Sequence, residues 1–228
     1  MNHKKSVVLL LPMKGHSERV SNKNLKNFCG NPLYHAIIKV VLKSKYIDEI
    51  IIDTDSEEIK KDVIKNFPSV IIIDRPEKNI GDNVPMNDVI EYDLTKINGD
   101  IFIQTHSTNP MLLTATLDNA IEKFMQIRSE NDSIFSVTRM QTRLYWENGS
   151  PINHNPQELL RTQDLPPVYE ENSNFYIFTK DSFFKARGKR IGLKPFMFEI
   201  DKIEALDIDE PQDFVIAEQL YKQLRKNQ

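Results

Sequence analysis

Two short stretches carry residue types suited to a small polyanion. In "LPMKGHSERVSNKNL", residues 11–25, an apolar run stops at Pro12, and Lys14, Gly15, Arg19 and Lys23 follow in a polar segment. A turn leaving a strand can offer backbone N–H groups to an anion, with side chains closing round it. Gly15 supplies conformational freedom there, and the spacing of Lys14 and Lys23 allows one cation on each side of a triphosphate. The segment is neither G-x-x-x-x-G-K-[ST] nor G-x-G-x-x-G. A solvated surface loop is the competing interpretation.

The second stretch is "ALDIDEPQDF", residues 205–214. Asp207 and Asp209 stand two apart on an expected strand, so both carboxylates project from one face. Paired carboxylates repel unless a cation lies between them, and an all-oxygen, open set suits Mg²⁺. The alternative is an acidic cap, Asp209 or Glu210 ahead of Pro211, for the last helix. A triphosphate loop and a metal pair belong together, because the metal neutralises the phosphates during nucleotidyl transfer.

The whole chain sets bounds on this chemistry. With 228 residues and a net charge of −3, it fits a single domain and argues against a nucleic-acid binder. One cysteine, Cys29, permits no internal disulfide, which fits a cytoplasmic location. The apolar run near the start is too short for a signal peptide, and no stretch is long enough for a membrane span.

The elements that must position these residues alternate. Val7–Leu11 reads as a buried strand, followed by a helix carrying Leu33, Ala36, Ile37, Val40 and Val41 on one face. Strands at 50–52, 70–73, 101–104 and 133–138 alternate with helices at 57–66, 86–97 and 114–127. This pattern predicts an α/β fold with a mostly parallel sheet covered on both faces, and ligands at the carboxyl ends of its strands. The basic loop, "DTD" at 53–55 and "QTHSTNP" at 104–110 then share one rim. Residues 140–171, rich in proline, form an excursion in which Tyr145 and Trp146 suit an interface. The chain returns with "NFYIF", strands near 196–200 and 204–208, and an amphipathic helix bearing Phe214, Ala217, Leu220, Tyr221 and Leu224.

"LPMKGHSERVSNKNL", "GNPLYHAI", "IDEIIIDTDSEEI", "RTQDLPPVYEENSNFYIF" and "LDIDEPQDFVIAEQL" together resemble the cytidylyltransferase family that contains the acylneuraminate (sialic acid) cytidylyltransferases. The likeness runs from about residue 6 to 222. It implies a doubly wound, Rossmann-like nucleotide-diphospho-sugar transferase fold and a homodimer built partly from 140–171. It also implies CTP as co-substrate, Mg²⁺ as metal and a 2-keto-3-deoxy sugar acid as acceptor. The implied products are a CMP-sugar and pyrophosphate.

Carried over by position, the resemblance puts Lys14 and Lys23 on the triphosphate and Arg75 of "DRP" near the nucleotide; Arg19, a cation of the same loop, is expected to clamp the triphosphate with them. Asp207 and Asp209 fall on the metal pair, and Asn172 and Tyr176 on the sugar site. The family's Q-P-T-S-P-L-R appears as "HSTNPML", so His106 stands for a glutamine and an arginine is missing. Lys14 replaces an arginine and loses its planar fork. Gln104, His106 and Asn172 are expected to face the acceptor, with His106 either a hydrogen-bonding group or a general base. Asp53 and Asp55 either contact nucleotide or cap the helix that follows. A phosphate- or phosphonate-bearing acceptor, or a non-catalytic nucleotide-binding role, remains open at this stage.

Overall fold

The computed structural model describes residues 5–225. The chain runs β1 (Val7–Leu10), a hairpin of β2 (Asn27–Phe28) and β3 (Asn31–Pro32), α1 (His35–Val41), β4 (Glu49–Thr54), α2 (Glu57–Asn66), β5 (Ile71–Asp74) and α3 (Met86–Lys96). It continues with β6 (Ile101–Thr105), α4 (Thr114–Ile127), β7 (Ser133–Met140), β8 (Val168–Phe178), α5 (Lys180–Lys185), β9 (Pro195–Glu199) and α6 (Pro211–Leu224). One sheet has the order β5-β4-β1-β6-β8-β7-β9. β8 is antiparallel to both neighbours, and every other pairing in this sheet is parallel.

β1 and β6 are buried at every position, as central strands covered on both faces must be. Val7, Leu9, Ile50, Ile52, Ile101 and Ile103 point to the face covered by α1, α2 and α4. Val8, Leu10, Ile51, Phe102 and Phe178 point to the face covered by α3 and α5. The expected mostly parallel, doubly wound α/β architecture is the one observed. Helix starts are locally encoded: Ser56 caps α2 by accepting from the Ile59 N–H, and Glu210 with Asp213 forms a capping box at α6 behind Pro211.

Two expectations are corrected. Residues 204–208 form no strand; a turn precedes a segment without regular structure that is not part of the sheet. The excursion is also shorter than 140–171. Met140 still pairs with Val168 and Thr138 with Glu170, so the β7–β8 ladder runs out beyond the sheet before the chain departs.

A third, smaller cluster explains how the ends of the chain meet. Val20 of the basic loop, Phe28, Leu33, Ile208, Phe214 and Ala217 pack together, with Ile208 fully buried. The Ile208 side chain thus anchors the segment between the two acids. Its N–H donates to Thr108 O at 3.0 Å, tying the same segment to the loop after β6.

Candidate active site

The basic loop is shaped by contacts to the neighbouring strand ends. Leu11 N and Met13 N donate to Ile51 O and Asp53 O, each at 2.8 Å, which continues the β1–β4 pairing past the strand. Asp55 accepts from Gly15 N at 2.7 Å. Gly15 is required for close approach rather than for an unusual φ: a Cβ there would lie 2.9 Å from Ser56 Cβ. Asn24 donates to Lys14 O at 2.8 Å and accepts from Ser107 Oγ at 2.6 Å, joining the loop to the β6 rim. Asn24 and Ser107 were not singled out in the sequence.

The acids of residues 207–209 come up against this loop. Arg19 Nη2 lies 2.7 Å from Asp209 Oδ1, and Lys23 Nζ lies 3.9 Å from the same oxygen. Lys23 Nζ also donates to Ile208 O at 2.6 Å. Burial lowers the Lys23 pKa below the ordinary lysine value, and Asp209 and Asp207 act against that shift. Lys14 lies across the cleft, paired with Asp82 at 3.1 Å. Lys14, Arg19, Lys23, Asn24, Asp82 and Ser107 line a cleft of about 290 Å³. Lys14, Arg19 and Lys23 are thus brought together, and Asp209 joins them.

Asp207 sits deeper. Its Oδ1 is buried and has no hydrogen-bond partner among the described residues. Desolvation raises its pKa, with the Asp209 charge adding to the shift and a hydrogen bond from Thr108 and the Lys23 charge opposing it. An orphaned carboxylate oxygen beside a second carboxylate fits a hard divalent cation. No group of three or more His, Cys, Asp or Glu suited to a metal occurs among the described residues. The pair therefore suits an ion that takes its other ligands from phosphate and water.

The remaining candidates divide. Arg75 is buried, its Nε 2.5 Å from Asp53 Oδ1, so it braces the end of β4 instead of entering the cleft. Asp93 of α3 lies against the same Asp53, and burial followed by the Asp53 charge pushes it up to about 9. Neither Asp53 nor Asp55 caps α2. Gln104 is fully buried; it donates to Thr105 O and to His106 Nε2 (2.8 and 3.1 Å), while its Oε1 accepts from Arg190 Nη1 at 2.5 Å. Asn172 is buried and donates to Thr138 Oγ1 at 2.9 Å. The hydroxyl of the fully buried Tyr176 donates to Glu171 and lies 3.0 Å from Ser173 Oγ.

His106 retains partial exposure at the rim. Desolvation, then the charges of Arg190 and Lys23, hold its imidazole far below the ordinary range, at about 3. It is therefore neutral near pH 7, a hydrogen-bonding group rather than an efficient proton acceptor. Arg190, Glu171 and Asp93 are further site-associated residues with no spacing signal in the sequence.

The chain as a whole is similar to known proteins. The N-acylneuraminate cytidylyltransferase of Oncorhynchus mykiss is 28% identical over 224 residues, covering 95% of this chain and 50% of that protein. This chain thus spans half the length of that relative. The pseudaminic acid cytidylyltransferase of Campylobacter jejuni is 26% identical over 229 residues, covering 93% of this chain and 95% of its own length. Among solved structures, a CMP:2-keto-3-deoxy-manno-octonic acid synthetase complexed with CTP superposes with a TM-score of 0.70 at 14% identity, covering 96% of this chain and 99% of that one. That likeness establishes the fold. Residues 8–227 match the family described as Cytidylyltransferase, and the chain belongs to that family.

Proposed function

We propose that this protein transfers the cytidylyl group of CTP to the anomeric hydroxyl of a sugar acid. The hydroxyl oxygen forms a bond to the α-phosphorus, the α–β phosphoanhydride bond breaks, pyrophosphate departs, and the hydroxyl proton passes to solvent. The observation that carries this reading is the meeting of Arg19 and Lys23 with Asp209 at the mouth of one cleft. Relatives named for sialic, pseudaminic and legionaminic acids support a nonulosonic-type acceptor.

Lys14, Arg19 and Lys23 would grip the triphosphate, and Lys23, the least exposed of the three and close to Asp209, would stabilise charge on the leaving pyrophosphate. Mg²⁺ is the proposed metal; Asp207 and Asp209 would hold it, and the chemistry it supplies is neutralisation of phosphate charge. Arg75 and Asn172 would act by bracing the rim. His106 would orient the acceptor as a neutral hydrogen-bonding group.

A homodimer is part of the proposal. The excursion leaves Trp146 62% and Leu159 93% exposed, an apolar surface that suits a second copy. A cytoplasmic location is proposed because CTP is found there; no helix of the described residues is long and apolar enough to cross a membrane.

The test is pyrophosphate release with CTP, Mg²⁺ and an acceptor panel. The panel comprises N-acetylneuraminate, pseudaminate, N,N'-diacetyllegionaminate, 2-keto-3-deoxy-manno-octonate, neutral hexoses and phosphorylated or phosphonate-bearing alcohols. Turnover confined to sugar acids is expected. Turnover confined to the phosphate or phosphonate acceptors, or with none, would overturn the reading.

A further inference from the structure

The segment "HSTNPML" leaves the acceptor side short of positive charge, and the fold supplies an arginine from elsewhere. Arg190 lies in the turn between α5 and β9, partly buried, its guanidinium 4.0 Å from the centre of the Tyr176 ring. Its Nη1 donates to Gln104 Oε1 at 2.5 Å, and Gln104 donates onward to His106. Among the described residues no carboxylate pairs with it within 4.0 Å. Glu171 does act on it electrostatically, but the Glu171 Oε1 already accepts from the Tyr176 hydroxyl. The Gln104 amide and a hydrogen bond with Tyr176 still leave most of the guanidinium's five N–H donors unclaimed by a counter-charge. A partly desolvated guanidinium in that condition strongly favours an anion.

Position adds the second argument. The charges of Arg190 and Lys23 both act on the His106 ring, so an acceptor-side cation and a triphosphate-side cation both lie near His106. In a 2-keto sugar acid the carboxylate is bonded to the carbon that bears the attacking hydroxyl. A group that grips the carboxylate near His106 therefore holds that hydroxyl close to a phosphate bound by the neighbouring Lys23.

We propose that Arg190 binds the acceptor's carboxylate and thereby selects sugar acids over neutral sugars; this rests on the cytidylyl-transfer reading above. The buried Gln104 acts through Arg190 and His106 as a positioning residue, fixing both side chains. Tyr176 supplies the flat surface that keeps the guanidinium fork in one plane.

The experiment compares wild-type protein and Arg190→Gln, using CTP, Mg²⁺ and two acceptors: the sugar acid turned over fastest in the panel, and its carboxamide. Wild type is expected to prefer the acid by roughly 10- to 100-fold in kcat/KM, the worth of one hydrogen-bonded contact to a charged group. Arg190→Gln is expected to lose that preference through the acceptor KM while the KM for CTP holds. Equal losses on both acceptors would overturn the proposal, because a merely structural residue has no reason to distinguish them. If Arg190→Gln does not fold, Arg190→Lys carries the test. It keeps charge without the fork, so a reduced preference is expected and a wild-type preference would overturn the proposal. Absence of wild-type turnover with every sugar acid would overturn the underlying reading, and is seen before any variant is made.

Discussion

Arg19 and Asp209 stand 190 residues apart in the chain and meet at 2.7 Å across the mouth of the cleft. Both side chains are about half exposed, so the pair is solvent-screened and adds little to stability. It is well suited to exchange: a triphosphate would take Arg19, and a metal would take Asp209. Arg19→Ala should therefore leave the thermal midpoint nearly unchanged while weakening CTP binding by roughly tenfold, the worth of one charge-assisted contact. A large drop in midpoint with unaltered CTP affinity would mark the pair as structural.

Lys23 is different because it is mostly buried and also donates to Ile208 O. Lys23→Ala should lower kcat by about 10²–10³, the usual cost of removing one preorganised electrostatic contact in an active site. Turnover within a few-fold of wild type, measured as initial pyrophosphate release, would refute its assignment.

Gly15 tests the packing of the loop. Gly15→Ala drives a Cβ to within 2.9 Å of Ser56 Cβ and should displace the loop, weakening CTP binding. Adding Ser56→Gly removes that obstacle at the cost of a few tenths of a kcal/mol in capping, and should restore most of the affinity. Calorimetric titration of both proteins checks this; a double variant as weak as the single one would contradict it.

How much of this was legible in the sequence depended on whether a contact was local. Helices 57–66 and 114–127 were bounded correctly because their apolar period and, in α2, a serine cap are written in adjacent residues. The cations of residues 14–23 and the acids at 207 and 209 were visible as charge clusters. The expected strand at 204–208 failed for a physical reason. Leu206 and Ile208 alternate with acids as strand residues would, yet the alternation arises from Ile208 anchoring in a side cluster. Arg190, Asn24 and Asp93 gave no signal, because each meets its partner through tertiary folding. Arg190 reaches a glutamine 86 residues away.

Asp93 provides a pH test. Its folded-state pKa is raised to about 9, so it stays protonated in the fold where the unfolded chain has already released its proton. Its favourable contribution is complete below the ordinary carboxylate pKa near 4 and is lost progressively as pH rises toward 9. Wild type should therefore lose thermal stability relative to Asp93→Asn between pH 5 and 9. Parallel melting curves across that window would contradict the assignment.

His106 should not control the pH–rate profile. With its imidazole held at about 3, the kcat/KM profiles of wild type and His106→Gln should have the same shape between pH 5.5 and 8. An inflection near pH 6.5 present in wild type and absent in the variant would show that His106 titrates during turnover.

The most direct measurement is calorimetric titration of CTP with and without Mg²⁺, in wild type and in Asp207→Asn. Convergence of the loop cations and the paired acids on one metal-bound triphosphate predicts that Mg²⁺ strengthens wild-type binding and that most of this gain disappears in the variant. The same Mg²⁺ dependence in both proteins would contradict the account.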